Sequence, residues 1–257
     1  MGSPKNPTGG IAIILDVLAT TMAVLPAIVT WATVIVYLRW IWDTTFFLLY
    51  LLATPLVLIA TFLVSIRLLR ASIKPPPVGV HRVNYNHAFG SWLCTNYLGQ
   101  AIQVAGLKPL LFSLYTTRYL YWRALGAKIA YGVNCSPFIN VSDLPLITIG
   151  KGTTIGAYSH ISAHLLRGDR LIVAPVTIGQ GVELGIQCVI GPGTRIGNDS
   201  TIGANCAIGL HTTIGEDVQI GAGNRLIAET IPDKTRIGHF EREYGDPDFP
   251  LTHRRSL

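Results

Sequence analysis

Charged residues are scarce in this sequence, and acidic residues are nearly missing from its first half. Only 13% of the 257 residues are charged, and the chain has four cysteines. Four cysteines are too few for a disulfide scaffold, and an apolar content of 49% excludes a disordered chain. Residues 1–130 carry ten Lys and Arg against two Asp and Glu (10 − 2 = +8), whereas residues 131–257 carry ten against twelve (10 − 12 = −2). A basic excess beside apolar segments favours an anionic membrane surface over a nucleic acid, so we expect membrane lipid and no nucleic acid as partners.

Two long apolar runs open the chain. Residues 11–38 contain one charge, Asp16, and residues 44–66 contain none. Each run exceeds the roughly 20 residues that a helix needs to cross the hydrocarbon layer. The short connection, 39–43, predicts a tight hairpin, so both ends of residues 1–74 lie on one side of the membrane. Because basic residues are more numerous at the two ends than in the connection, we expect a multi-pass membrane protein with two helices, both termini and the second half being cytoplasmic.

A stiff proline run follows at residues 75–77 and marks a boundary. Residues 84–125 are rich in aromatic residues and leucine, with basic residues between them. This mixture is typical of one or two short helices on the membrane interface, or equally of a helical cap packed on the next domain. Residues 75–128 are therefore predicted to form a linker with interfacial helices.

An aliphatic residue followed by glycine recurs every six residues through the second half of the chain. An earlier set with the same spacing ends at Ile161, where Ser162 replaces the glycine. A period of six is typical of a parallel β-helix, in which three six-residue faces make one coil. We therefore predict such a β-helix over residues 129–240. The eight repeats that stay in phase are Ile178, Leu184, Ile190, Ile196, Ile202, Ile208, Ile214 and Ile220.

The period is interrupted once. Ile161 and Ile178 are 17 residues apart, which is not a multiple of six, so a loop must leave the β-helix between them. Insertions in repeat proteins often form a functional face, and the segment from His164 to Pro175 is the best candidate. Cys188 and Cys206 are one coil apart and are predicted to be small core residues.

These segments resemble the left-handed β-helix acyltransferases of the hexapeptide-repeat superfamily. The similarity rests on residues 161–164 (ISAH), on 175–179 (PVTIG) and on the closing segment 221–233. It implies a left-handed parallel β-helix, so that the whole chain is predicted to have a mixed fold in which a transmembrane hairpin and interfacial helices precede this β-helix. It also implies a homotrimer with a histidine as general base. Residues 125–129 (LGAKI), Asp143 and the membrane segment also resemble the carboxy-terminal region of poly-lysine-synthetase-type membrane peptide synthetases, which implies an aminoacyl thioester donor.

The resemblance assigns the general base to His164. An imidazole titrates near neutral pH and can take a proton from an acceptor hydroxyl or amine. His160 is the local alternative, and His211 occupies the same place in its repeat as His164. Asp143 is expected to orient the imidazole or hold an amine acceptor, or to cap a turn ahead of the first coil.

The donor implied by the resemblance is an acyl-CoA or a carrier-protein phosphopantetheine thioester, used as a co-substrate with no tightly bound cofactor and no metal. Arg195, Arg225 and Lys234 are the candidates for binding its phosphates. The predicted function is therefore a membrane-anchored acyltransferase that moves an acyl or aminoacyl group to a hydroxyl or amine.

Two alternatives remain open from the sequence. The β-helix is also the fold of γ-type carbonic anhydrases, which bind zinc with three histidines, here His160, His164 and His211. The second alternative is a non-catalytic scaffold that trimerises a membrane synthetase, and the repeats alone would be enough for that role. Residues 241–257 are predicted to form an extended tail.

Overall fold

The computed structural model describes residues 9–83 and 86–238. The two predicted apolar helices are confirmed as α1 (Gly9–Ile41) and α2 (Phe47–Ser72), and both are long and apolar enough to cross a membrane. Their connection is 42–46 and not the predicted 39–43, because the residues after Leu38 include no glycine or proline to end the helix. The predicted tail, 241–257, lies outside the described residues.

Small residues on α1 face the protein, and large apolar residues face outward. Ala19, Ala23 and Ala27 recur at intervals of four and are buried, which brings neighbouring helices close to the α1 backbone. The opposite face exposes large aliphatic side chains over its whole length, from Ile11 to Val36. The second helix differs, because large side chains are buried on its inward face: Leu58, Phe62 and Ile66.

Three further helices lie between the apolar hairpin and the β-helix: α3 (His87–Val104), α4 (Lys108–Ser113) and α5 (Tyr115–Ala124). The sequence predicted one or two. The third arises because Leu114 adopts an extended conformation and separates α4 from α5. The side chain of Asn86 caps α3 by accepting a hydrogen bond from Phe89 N, and Gly106 follows its end with φ +71°.

The helix α3 runs alongside α1. Leu15 lies against Gly90, and the Trp31 indole donates a hydrogen bond of 3.3 Å to the carbonyl of Ala105. Leu98 and Ala101 are fully buried in the same apolar core as the inward residues of the β-helix. The hairpin, the short helices and the β-helix therefore share one core.

Arg118 of α5 joins the short helices to the β-helix from inside the protein. It is 4% exposed, and its guanidinium donates to the carbonyls of Val133 at 2.8 Å and Cys135 at 3.2 Å. Its charge also lies over the rings of Tyr115 and Trp122. Backbone carbonyls and aromatic faces thus replace a carboxylate as partners of this buried cation.

The predicted parallel β-helix is confirmed and has six coils, of which the last is incomplete. The six-residue period did not reveal the first coil, because Cys135 and Val141 occupy positions where later coils have an aliphatic residue followed by glycine.

The three faces of the β-helix are parallel sheets. The first contains β2 (Lys128–Ile129), β5 (Ile147–Ile149), β10 (Val176–Ile178), β13 (Arg195–Ile196), β16 (Thr213–Ile214) and β19 (Thr230–Ile231). The second contains β3 (Asn134–Cys135), β6 (Thr154–Ile155), β11 (Glu183–Leu184), β14 (Thr201–Ile202), β17 (Gln219–Ile220) and β20 (Arg236–Ile237). The third contains β4 (Asn140–Val141), β7 (His160–Ile161), β12 (Val189–Ile190), β15 (Ala207–Ile208) and β18 (Arg225–Leu226).

The aliphatic residue of each repeat points into the β-helix, and the residue before it points out. Ile161, Ile190 and Ile208 are stacked in register and are fully buried. Cys188 and Cys206 lie on successive coils and are also buried, so their predicted role as small core residues is confirmed.

Some repeat glycines are required because adjacent coils approach too closely for a side chain. A Cβ at Gly156 would lie 2.4 Å from the carbonyl carbon of Gly185. We predict that Gly156→Ala lowers the free energy of unfolding by about 1–3 kcal/mol, since backbone atoms must move apart.

The matched control is Gly99→Ala on α3, where a Cβ meets nothing within 4 Å. We expect it to be neutral or to stabilise by up to about 1 kcal/mol. Thermal unfolding of the two variants in detergent measures the difference. Equal melting temperatures would contradict the close approach of the coils.

The predicted excursion between Ile161 and Ile178 is confirmed, but it is a β-hairpin and not an irregular loop. Its strands are β8 (His164–Arg167) and β9 (Arg170–Val173). A strand from the linker, β1 (Gly79–Arg82), pairs antiparallel with β9 and completes a three-stranded sheet that we call the arm. The segment after α2 is therefore tied directly to the excursion that begins at His164.

Candidate active site

His164 and Asp143 are in direct contact at the base of the arm. The distance from His164 Nδ1 to Asp143 Oδ2 is 2.5 Å. The Asp143 side chain is fully buried, and that of His164 is 18% exposed. The sequence places these residues 21 positions apart, and the stacking of the first two coils brings them together. A buried carboxylate paired with a partly accessible imidazole is an arrangement suited to proton transfer.

The local backbone aims Asp143 at this contact. Asp143 lies after the first coil, and not ahead of it, in a left-handed conformation with φ 53° and ψ 43°. It is followed by the short 3₁₀ helix η1 (Leu144–Leu146). Ala163 N donates a hydrogen bond of 3.1 Å to Asp143 Oδ2, which fixes the carboxylate against the strand that leads into the arm.

Ser162 completes the network around the two residues. Its hydroxyl lies 3.0 Å from His164 Nδ1 and 3.5 Å from Asp143 Oδ2. Its Oγ also accepts a hydrogen bond from His164 N at 3.3 Å. Ser162 stands where most repeats have glycine, and its hydroxyl explains the difference because it holds both members of the pair.

The pairing defines which ring nitrogen of His164 can act as a base. An ionised carboxylate only accepts hydrogen bonds, so Nδ1 must carry the proton that it donates to Asp143. The neutral ring then has its free lone pair on Nε2. The contact thus places Nδ1 against the carboxylate and leaves Nε2 free of it.

Trp92 of α3 covers one side of the His164 ring. The two rings meet edge to face with centroids 4.9 Å apart. Trp92 is 7% exposed and packs in a small apolar cluster with Leu171 and Val173 of the arm. The position of His164 therefore depends on α3 as well as on the β-helix.

His160 lies near the pair, on the outward side of β7. Burial lowers the pKa of His160 below its ordinary 6.5, and the neighbouring His164 lowers it further, while Asp143 opposes the shift. His160 is thus kept neutral at neutral pH.

The lowered pKa of His160 predicts a pH-dependent stability. As pH falls below about 6.5, the unfolded chain binds a proton at this residue before the folded chain does, so stability decreases toward acid. We expect the melting temperature of the wild type to fall between pH 7 and pH 5, and His160→Gln to reduce that fall. Parallel melting curves for the two proteins would contradict the assignment.

The other predicted residues are not brought to the pair. His211 is exposed at a corner two coils above His164, in a left-handed conformation with φ 56°. Arg195 points out from the first face, Arg225 from the third, and Lys234 lies at a corner. Arg225 shares a face with His160 and is three strands further along, or about 14 Å at the usual strand spacing. A single chain does not assemble the three cations into one site.

Within residues 9–83 and 86–238, no group of three His, Cys, Asp or Glu side chains is placed to hold a metal ion. The described part of one chain therefore does not by itself bring His160, His164 and His211 together as a zinc set.

Two residues of the site were not predicted from the sequence. Ser162 was noted only as a substitute for glycine, and that substitution was the available signal for it. Trp92 gave no signal, because its contact with His164 depends on how α3 packs against the arm.

Comparison with known proteins supports the repeat assignment. Residues 175–210 match the family model described as bacterial transferase hexapeptide (six repeats). The predicted hexapeptide repeat is therefore confirmed. No curated protein matches this chain.

Several solved structures of acetyltransferases are similar to the chain. A hexapeptide-repeat acetyltransferase from Vibrio cholerae is 23% identical, with a TM-score of 0.41, and the match covers 53% of this chain and 84% of that chain. The same kind of enzyme from Vibrio cholerae O1 biovar eltor, complexed with acetyl coenzyme A, is 20% identical with a TM-score of 0.34, covering 55% and 86%. A maltose O-acetyltransferase from Clostridium difficile 630 is 19% identical with a TM-score of 0.37, covering 52% and 78%.

Proposed function

We propose that this protein is a membrane-anchored acyltransferase that uses His164 as its general base. The contact between His164 Nδ1 and Asp143 Oδ2 carries the proposal, because it leaves Nε2 as the proton acceptor. The family-model match to bacterial transferase hexapeptides supports the reaction class.

The proposed reaction transfers an acyl group from a thioester to a hydroxyl or amine. His164 Nε2 takes the proton of the acceptor as its oxygen or nitrogen attacks the thioester carbonyl. The carbon–sulfur bond then breaks, and the imidazolium returns the proton to the leaving thiolate. Asp143 stabilises the imidazolium between these two steps, because its buried carboxylate is already bonded to Nδ1.

The proposed donor is an acyl-CoA or the phosphopantetheine thioester of a carrier protein. This part of the proposal follows from the resemblance to hexapeptide-repeat acyltransferases. Arg195, Arg225 and Lys234 are all exposed and stay candidates for its phosphates. Because they lie on different parts of one chain, a site that uses more than one of them would need a neighbouring β-helix, as in the proposed homotrimer.

Membrane anchoring is supported by the two long apolar helices. At 1.5 Å per residue, the 33 residues of α1 extend for about 50 Å, which exceeds the roughly 30 Å hydrocarbon layer. The exposed aliphatic face of α1 and that of α2 need an apolar environment. The excess of Lys and Arg at the ends of the hairpin favours a cytoplasmic β-helix.

Native mass spectrometry of the detergent-purified protein tests the proposal. The protein is offered a mixture of CoA thioesters and an acylated carrier protein, and the mass of the assembly and of its ligands is read together. We expect three chains that retain thioester and, with an amine or hydroxyl acceptor, release free thiol. A trimer that binds no thioester would overturn the acyltransferase and favour a scaffold.

A further inference from the structure

A polar cavity lies between α3 and the first coil, next to the His164–Asp143 pair. Its volume is about 270 Å³, far above the roughly 15 Å³ that one water needs. Its α3 wall is Thr95, Asn96, Gln100 and Gln103, and its β-helix wall includes Asp143. His164 does not line the cavity and the Asp143 side chain is fully buried, so a molecule in the cavity does not touch the pair.

The α3 wall of the cavity carries amide side chains. Gln100 and Gln103 are exposed, and the Gln100 amide donates a hydrogen bond of 3.0 Å to Asn96 Oδ1. The side-chain oxygens of Asp143 and Thr95 are buried behind the wall and do not face the cavity. Amide groups both donate and accept hydrogen bonds, which suits a ligand that carries hydroxyl groups.

A basic groove of about 520 Å³ lies on the other side of Arg70. Its cations are Arg67 and Arg70 at the end of α2, Arg123 of α5 and Lys128 of β2. No acidic residue lines this groove, and none of the four cations forms an ion pair with another described residue. Four neighbouring cations without acidic partners suit an anion, in particular a phosphate group.

Arg70 lines both the groove and the cavity, so the two spaces are neighbours, and its guanidinium donates to the carbonyls of Leu125 and Ile73. The groove lies at the last turns of α2, where the apolar hairpin ends. We infer that the basic groove and the polar cavity bind the head group of an anionic phospholipid, with its phosphate in the groove and its hydroxyl groups in the cavity.

The site lies beside α3, the helix whose Trp92 packs on His164. The inference rests on the membrane anchoring proposed above and does not depend on acyl transfer.

The test measures binding of short-chain phosphatidylglycerol to the full-length protein in uncharged detergent micelles by titration calorimetry at 0.15 M salt. The variant Arg67→Gln/Arg123→Gln removes two cations from the groove. Because each basic residue beside a phosphate contributes about fivefold, we expect its Kd to rise about 25-fold. The control Lys74→Gln/Lys151→Gln removes the same charge from exposed positions that do not line the groove, and its Kd should stay within about twofold.

A second comparison tests the cavity. Phosphatidylmethanol carries the same phosphodiester charge without the glycerol hydroxyls, so the wild type should bind phosphatidylglycerol about threefold to tenfold more tightly. Gln103→Leu, which removes an exposed amide from the cavity wall, should reduce this preference while it leaves phosphatidylmethanol binding unchanged. His164→Ala should bind both lipids like the wild type, so that loss of transfer and loss of lipid binding are separable.

Three results would overturn the inference. Equal losses in the groove variant and its control would mean that general charge, and not the groove, binds the lipid. Equal binding of the two lipids by the wild type would remove the role of the cavity. Binding of soluble glycerol phosphate or CoA as tight as that of the lipid would assign the site to a soluble phosphate ester.

Discussion

His164→Ala is expected to lower kcat by about 10²- to 10⁴-fold, with thioester binding retained. The magnitude is that of a general base, and the loss should fall on kcat because Nε2 acts only while the acceptor is being deprotonated. Release of free thiol from the donor thioester, followed with a thiol reagent, measures the rate. Asp143→Asn should also lower kcat, because an amide can donate to Nδ1 and select the wrong tautomer.

The matched control for this prediction is His211→Ala. His211 holds the place in its repeat that His164 holds in its own, but it is exposed at a corner and lies away from Asp143. We expect its kcat to stay within about twofold of wild type, since substitutions of exposed residues away from a site have small effects. Similar losses in the two variants would contradict the assignment of His164, provided that both retain the wild-type melting temperature.

Trp92→Ala is expected to lower the free energy of unfolding by about 3–5 kcal/mol and to impair transfer as well. The indole fills the space between α3, Leu171 and Val173, and it holds one side of the His164 ring. Trp92→Phe keeps an aromatic ring in this cluster and should recover most of the stability. Chemical or thermal unfolding in detergent, combined with the thiol-release assay, measures both effects.

Phe138→Ala is the control for the loss of an aromatic ring. Phe138 is 62% exposed and stacks on Tyr158 at a corner of the β-helix. Its removal should cost less than about 1.5 kcal/mol and leave transfer unchanged. If Trp92→Ala is no more harmful than Phe138→Ala, then α3 does not support the site.

The sequence alone predicts the parts of the fold that repeat or that are extreme in composition. The six-residue period places Ile190, Ile208 and their neighbours inward because each coil returns to the same face. The long uncharged runs predict α1 and α2 for the equally local reason that charges are excluded from an apolar layer. The first coil has no aliphatic-glycine pairs at Cys135 and Val141. The six-residue pattern is therefore hard to recognise there in the sequence, although the structure shows a complete coil.

Contacts between distant segments could not be predicted in this way. The strand Gly79–Arg82 is short and follows prolines, and its pairing with β9 depends on where α2 ends. The contact of Trp92 with His164 likewise depends on the packing of α3 against the arm. For Asp143, the family resemblance and the residue type indicated a role, but its position depends on the stacking of the first two coils and on its left-handed backbone.

The tautomer of His164 is the most direct test of the proposed mechanism, because it requires neither the donor nor the acceptor to be known. The measurement is ¹⁵N NMR of the protein in micelles with labelled histidines, with the His164 signals assigned by their loss in His164→Gln. We expect the neutral ring to carry its proton on Nδ1 and its free lone pair on Nε2. A proton on Nε2, with Nδ1 unprotonated, would contradict the pairing with Asp143 and the role of His164 as general base.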